Sequence, residues 1–364
     1  MNPLLARVPA FPWDSLASAK ALASAHPGGI ADLSVGTPVD PTPAIAQQTL
    51  REAANAPGYP TVWGTPQVRA AIAGYLRRRW HSVELDDPNV QPTIGSKELV
   101  AWLPTLLGLG PGDVVVIPEL AYPTYDVGAR LAGAEVLPCD DPAAAAAARP
   151  KLMWINSPAN PHGRILTADE TRAWVAAARS CGALLASDEC YGEFGWDAEP
   201  VSVLDPDINS GSLQGLVAAF SLSKRSNIAG YRAGFIAGDA AALSDLLELR
   251  KHAGMMVPAP VQAAMVALLA DDAHALEQRE RYLARRKLLR PALEAAGFTI
   301  DHSQGSLYLW ATRGENCRDT VDWLAARGIL VAPGDFYGPK GANHVRVALT
   351  ATDERIQAAC ARLQ

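Results

Sequence analysis

Short apolar runs alternate with longer amphipathic stretches through the middle of the chain, and this alternation sets the architecture. Val114–Ile117, Glu135–Leu137, Leu152–Ile155, Ala183–Ser187, Leu216–Phe220 and Ala233–Ala237 are brief and mostly apolar. Runs of that length without polar alternation fit strands buried on both faces. The stretches between them carry helical spacing: Pro43 to Ala54, Gln67 to Trp80, Gly95 to about Leu107, Tyr122 to Ala132, and Thr167 to Cys181. Thr167 with Glu170 three positions on forms a capping-box pattern at the start of the last of these. The alanine run at 143–148 suits a loop or a helix equally. Strands and helices in this order predict an α/β fold, with a mostly parallel sheet covered on both sides.

The ends of the chain follow different patterns. Trp13 to His26 has helical periodicity and stops at Pro27-Gly28-Gly29, and Leu33 to Pro38 forms an extended piece and a turn. From Pro258 the pattern is helical through about Ala296. Phe298–Ile300, Leu307–Trp310 and His344–Ala348 look like strands of a second unit, with a helix over Asp319–Arg327. We expect a large domain at 33–272, a smaller α/β domain at 273–364, and an arm at 1–32 packing on the smaller domain.

Composition removes several function classes. The 364 residues carry a net charge of −6, and their basic residues are dispersed. The one dense cluster, Arg77-Arg78-Arg79 beside Trp80, fits the polar end of a helix, so no nucleic-acid partner is expected. Cys139, Cys181, Cys190, Cys317 and Cys360 form no Cys-x-x-Cys pair, which points to reduced thiols and the cytoplasm. The seven histidines show no ligand spacing, so no metal is expected. No signal-peptide core precedes Pro12, and the longest apolar stretch, Leu99–Gly110, is broken by Pro104. A soluble protein is expected.

The chemistry gathers just past the C-terminal ends of the apolar strands, the edge where open α/β sheets bind ligands. Tyr122 follows Val114–Ile117, Asn160 follows Leu152–Ile155, Asp188 follows Ala183–Ser187, and Ser221 and Lys224 follow Leu216–Phe220. Two hydroxyls, Ser221 and Ser223, flank Lys224, and Arg232 lies eight residues on (232 − 224). That set suits a lysine forming a Schiff base with an aldehyde cofactor that also carries a phosphate. A loop with ordinary solvated charges fits the same residues. Gly95-Ser96-Lys97 opens a helix whose N–H groups can hold a phosphate. Arg346 stands inside the apolar strand His344–Ala348 and needs a partner, either a substrate carboxylate or an acid elsewhere in the chain.

Ser221-x-Ser223-Lys224 with Arg232 is similar to the cofactor-lysine motif of fold-type I pyridoxal-phosphate aminotransferases, class I/II. The resemblance covers essentially the whole chain, with Gly36, Tyr59, Gly95, Tyr122, Asn160, Asp188, Tyr191, Ser221, Lys224, Arg232 and Arg346 in the family's order. It implies pyridoxal 5′-phosphate as cofactor and a large domain built on a seven-stranded, mostly parallel sheet. Lys224 would hold the aldehyde and act as base, and Asp188 would face the ring nitrogen. Tyr191 and Asn160 would donate to the ring oxygen, and Tyr122 would stack on the ring. Gly95, Ser96, Lys97, Ser221 and Arg232 would hold the phosphate. Arg346, Asn160 and Gly36 would meet the substrate carboxylate. Tyr59 would reach the phosphate of a neighbouring subunit, giving a homodimer with shared sites. The family's loop Asn-Pro-x-Gly often has threonine at x; this chain has His162.

A closer similarity is to the N-succinyldiaminopimelate aminotransferases, carried by Phe11–Leu16, Leu33–Pro41, Cys317–Gly328 and Ala332–Gly338. It implies glutamate as donor, N-succinyl-2-amino-6-oxopimelate as acceptor, ping-pong kinetics, and a place in lysine and diaminopimelate synthesis. The distal carboxylate needs a second cation, for which Arg225, Lys97 and Arg130 are candidates. Alternatives on the same fold are an aminotransferase for aromatic acids or alanine, and a carbon–sulfur β-lyase. An amino-acid-sensing regulator is disfavoured, since only about 30 residues precede the cofactor domain and none form a basic helix-turn-helix.

Overall fold

The computed structural model describes residues 2–364. Its strands in chain order are β1 (Ala31–Asp32), β2 (Val90–Ile94), β3 (Val114–Ile117), β4 (Glu135–Pro138), β5 (Leu152–Asn156), β6 (Leu184–Asp188) and β7 (Leu216–Ser221). There follow β8 (Ala233–Gly238), β9 (Thr299–Asp301), β10 (Tyr308–Thr312), β11 (Ile329–Leu330), β12 (Ala332–Pro333) and β13 (Val345–Ala348). Seven of them form one sheet in the order β2-β8-β7-β6-β5-β3-β4. The run from β7 to β4 is parallel throughout.

β8 alone runs the other way, antiparallel to both β7 and β2. The connection explains this. Only eleven residues, 222–232, separate Ser221 from Ala233, and a parallel return needs a crossover of about a dozen or more. The lysine segment therefore turns back at the sheet edge instead of crossing a face. This leaves Lys224 at the C-terminal ends of the parallel strands.

Both faces of the sheet are covered, as the unbroken apolar runs require. Met153, Ile155, Leu216, Ala218 and Phe220 point into one core with Tyr75, Trp80 and Phe235. Their sequence neighbours Leu152, Trp154, Val217 and Ala219 point into another with Leu103, Tyr125 and Leu246. Phe220 stacks on Phe235 at 5.0 Å in the first, and Tyr125 on Trp154 at 5.0 Å in the second. Each such side chain contributes roughly 1.5–3 kcal/mol by leaving water, so the strand ends are held on a rigid floor.

The smaller unit is a four-stranded antiparallel sheet in the order β12-β13-β10-β9. The N-terminal segment joins it: β1 pairs in parallel with β11, and Leu16, Ala19, Ala23 and Leu33 share a core with Leu289, Leu309, Val321 and Ile356. The alanine run is a helix, Pro142–Ala147, because Asp141 caps it by accepting from the N–H groups of Ala143 and Ala144. Two of the longer helices have no counterpart in the sequence reading. Ala240–Ala253 buries Leu243, Leu246, Leu247 and Arg250, so an arginine interrupts an otherwise apolar stripe. That arginine is fully buried and paired with Glu98 at 2.9 Å. The second, Asp353–Arg362, is capped by Thr352 and buries only Ile356 and Ala359. Among the described residues no helix is long and apolar enough to cross a membrane.

Candidate active site

The site begins where β5 and β6 end. Asn156 and Asp188 are paired in register across those strands. The Asn156 amide donates to the Asp188 carbonyl at 2.8 Å and to the Pro158 carbonyl at 3.2 Å, and its oxygen accepts from the Asn160 N–H at 2.7 Å. One side chain thus folds the Pro/Asn/Gly loop back over the strand ends and sets Asn160 in place. The side-chain Oδ1 of Asn160 then accepts from Nη1 of Arg346 at 2.8 Å.

Arg346 is buried on β13, and its Nη2 donates to the Ser34 carbonyl at 2.7 Å. Its Cζ lies 3.9 Å from the centre of the Tyr308 ring and 5.1 Å from that of Tyr337. No acid pairs with it among the described residues, and its Nε has no partner. The alternative of an internal salt bridge is therefore absent. A buried guanidinium without a counter-charge is costly, and a bound carboxylate supplies what it lacks.

Asp188 is buried at the end of β6. Its two oxygens accept from the Tyr125 hydroxyl at 2.7 Å and from the Cys190 N–H at 3.2 Å. Burial nevertheless pushes its carboxyl above the ordinary range. Ser221 caps the single helical turn Leu222–Arg225, accepting from the Ser223 N–H at 3.1 Å, and this turn presents Lys224. The Lys224 amine donates to the Gly36 carbonyl. Burial, with the charges of Arg346 and Arg232, depresses the amine to about 8.

Arg232 sits with φ 57 and donates to the Ala229 carbonyl at 2.8 Å. Its guanidinium lies directly against Gly95, where a Cβ would overlap it; the φ of +70 there also favours glycine. A cation and the N-terminus of the helix Gly95–Leu106 thus meet at one point, with Ser96 half-buried beside them. That combination takes anions. Taken together, Arg232 and Arg346 lie close enough to Lys224 to depress its amine, and Cys190, whose N–H donates to Asp188, lies near Lys224 as well. Such a set fits a cofactor carrying an aldehyde, a phosphate and a basic ring nitrogen, together with a substrate carboxylate.

Tyr122 is half-buried and stands edge-on to Tyr125 at 5.8 Å; burial lifts its phenol to about 12. The Tyr191 and Tyr308 hydroxyls are 2.8 Å apart. Gly36 fits only because it lacks a Cβ, which would overlap the Tyr308 hydroxyl. The Gly36 loop is fastened by Asp40, which accepts from Arg285 at 2.8 Å and from Gln278 at 2.8 Å. His162, the departure from the family's loop, is half-buried and held neutral. Burial and the neighbouring His302, 5.2 Å away, push it down to about 3. Its carbonyl accepts from the Ser303 N–H at 2.8 Å, which ties the Asn160 loop to the smaller unit.

Some predicted residues stand apart. Tyr59 is 98% exposed and does not reach this chain's own site. The Lys97 side chain is exposed, 6.0 Å from the Phe11 ring, so only its place in the helix N-terminus serves the anion subsite. The expectation that Arg225 and Arg130 are free to bind a distal carboxylate is corrected. Arg225 is buried and held by Glu193 at 3.0 Å and Asp272 at 2.9 Å, and Arg130 is held by Asp126 at 2.8 Å. Sequence reasoning missed Asn156, Tyr125 and Tyr308. Asn156 directly follows a predicted strand, Tyr125 lies in a predicted helix, and Tyr308 in a predicted strand.

Residues 29–363 match the family model for aminotransferase class I and II. A probable aminotransferase of Mycobacterium tuberculosis is 62% identical over 358 residues, covering 98% of this chain and 86% of the relative. The 4-dedimethylamino-4-oxo-anhydrotetracycline transaminase of Streptomyces rimosus is 57% identical over 356 residues, covering 98% and 99%. An LL-diaminopimelate aminotransferase of Nostoc is 33% identical over 357 residues, covering 92% and 90%. Among solved structures, an aminotransferase from Neisseria meningitidis matches with TM-score 0.87 at 30% identity, covering 100% and 99%. A probable N-succinyldiaminopimelate aminotransferase from Thermus thermophilus matches with TM-score 0.87 at 28% identity, covering 97% and 99%.

Proposed function

This chain belongs to the class I and II aminotransferases, and from that membership we propose that it moves an amino group from glutamate to N-succinyl-2-amino-6-oxopimelate. Its cofactor is pyridoxal 5′-phosphate. The observation that carries the substrate reading is Arg346, a buried guanidinium with no acid and an unpartnered Nε, close enough to Lys224 to depress its amine. Donor and acceptor both present a carboxylate next to the reacting carbon. Of the three candidate cations for their second carboxylate, only Lys97 has no ion pair, and its side chain is exposed beside Phe11. The likeness to the Thermus and Nostoc proteins supports an acceptor of the diaminopimelate class, hence a cytoplasmic role in lysine synthesis.

When bound, the cofactor supplies an aldehyde that takes up the amino group and a ring that withdraws electrons from the substrate Cα. The chain's residues do the rest. Arg232, Ser221 and the Gly95–Lys97 helix end hold the phosphate. Asp188 keeps a proton on the ring nitrogen, and Tyr191 and Asn160 donate to the ring oxygen. Tyr122 covers one face of the ring. Arg346, with Asn160 and the Gly36 backbone, fixes the carboxylate and so aligns the Cα–H bond with Lys224. The Nζ of Lys224 would take the Cα proton; at about 8 its amine is a competent base near neutral pH. Two half-reactions at one site give ping-pong kinetics. We further propose a homodimer in which Tyr59 crosses to the neighbour's phosphate, with domains at 33–272 and 273–364.

The Streptomyces relative favours a second reading, in which the acceptor is a polycyclic ketone of the tetracycline type. The two are separated by measuring 2-oxoglutarate released from glutamate with each acceptor. The first reading expects kcat/KM at least a hundredfold higher with the succinylated oxo acid. A preference for the polycyclic ketone would replace it.

A further inference from the structure

We propose that Tyr308 is a positioning residue that donates a hydrogen bond to Tyr191 and thereby couples the carboxylate site at Arg346 to the cofactor ring. The proposal rests on the reading of Tyr191 as a donor to the ring oxygen. Tyr308 is buried on β10 and makes contacts on three sides. Its hydroxyl is 2.8 Å from that of Tyr191, and the two rings meet edge-on at 5.6 Å and 69°. Its ring face receives the Arg346 guanidinium at 3.9 Å. Its hydroxyl end occupies the space that a side chain at Gly36 would fill.

The direction of the hydroxyl bond follows from these neighbours. A guanidinium over a phenol ring draws on its electron density, which makes the Tyr308 O–H a better donor and its oxygen a poorer acceptor. No cation lies over the Tyr191 ring among the described residues. Tyr308 therefore donates and Tyr191 accepts, which leaves the hydrogen of Tyr191 free to point at the cofactor. Hydrogen bonds in such a chain polarise one another, so the Tyr191 bond to the ring oxygen is stronger than it would be alone. A carboxylate arriving at Arg346 offsets the charge over Tyr308 and weakens that reinforcement. The link thus reports substrate capture to the ring without any movement of backbone.

The test is a pH titration of the visible absorbance band of the holoenzyme, which reads the electronics of the cofactor–lysine linkage and not turnover. Tyr308→Phe keeps the ring under Arg346 and removes only the hydroxyl. Its midpoint should rise by a few tenths of a pH unit to about one, the size of one net hydrogen bond. Tyr191→Phe should raise it further, and the double variant should match Tyr191→Phe alone. Tyr308→Leu, which also removes the ring, should add a rise in KM for glutamate beyond that of Tyr308→Phe. An unmoved midpoint in Tyr308→Phe, or additive shifts in the double variant, would overturn the role of Tyr308 and leave the proposed reaction standing. Absence of the band in the unmodified protein would overturn both.

Discussion

The two anion sites proposed for this protein are built in opposite ways. The phosphate side draws on one compact stretch, Ser221 to Arg232, and on the helix end at Gly95 that Arg232 touches. The carboxylate side is assembled from four distant places: Ser34, Asn160, Tyr308 and Arg346. A short turn between two strands fixes the first. The second depends on the N-terminal segment, the β5 loop and the smaller sheet all arriving together. The first should therefore fail through single residues and the second through loss of alignment.

Lys224 joins the two sides, so its loss should be the most severe. Lys224→Ala should lower kcat by about 10²–10⁴-fold, the usual share of a positioned base, while still binding the cofactor's phosphate. Retained turnover would break the comparison at its centre. Gly95→Ala comes next. Its Cβ displaces Arg232 and should weaken pyridoxal phosphate binding by roughly 10–100-fold, the worth of a charge-assisted bond. With cofactor saturating, its KM for glutamate should stay unchanged; a KM that rises with the cofactor Kd would mean that the two sites are not separable.

The smallest effect is a pH dependence. The Lys224 amine is held at about 8, cationic below and neutral above. The rate at which apoprotein takes up pyridoxal phosphate should therefore climb tenfold per pH unit up to about 8 and then level. An unperturbed lysine would keep climbing towards about 10.4. Because Arg346 contributes to the depression, Arg346→Met should move that midpoint upward. A midpoint that stays put would show that the two sides do not sense each other.

The same contrast decides what could be read from the sequence. The strand ends, the capped helix Ala168–Cys181 and the lysine turn follow from local patterns, and the structure has them within a residue or two. The reversed β8 was also implicit in the eleven-residue connection, though apolar runs carry no direction. The helix Ala240–Ala253 escaped because Arg250, buried against Glu98, stands where its stripe calls for an apolar residue. At the site, Lys224 and Asp188 stood out by position after a strand. Tyr308 did not, because nothing local distinguishes a tyrosine in an apolar strand from core packing; only Arg346 and Gly36, distant in sequence, give it a role. Long-range pairing withdrew Arg225 as a distal-carboxylate ligand, since Glu193 and Asp272 lie on other segments, whereas Arg130 is held by Asp126 four residues back on its own helix.

The central claim is that Arg346 is buried without an acid because a substrate carboxylate completes it. It is tested most directly by following the visible band of holoenzyme as glutamate is added, in the unmodified protein and in Arg346→Met. Both should show a visible band before glutamate, each compared at a pH below its own midpoint. The unmodified protein should bleach to a near-ultraviolet band, and Arg346→Met should need at least about thirtyfold more glutamate, the lower end of the roughly 2–5 kcal/mol lost when one partner of a buried charge pair is removed. Equal bleaching at equal glutamate would contradict the account, because the guanidinium would then be buried for some purpose other than the substrate.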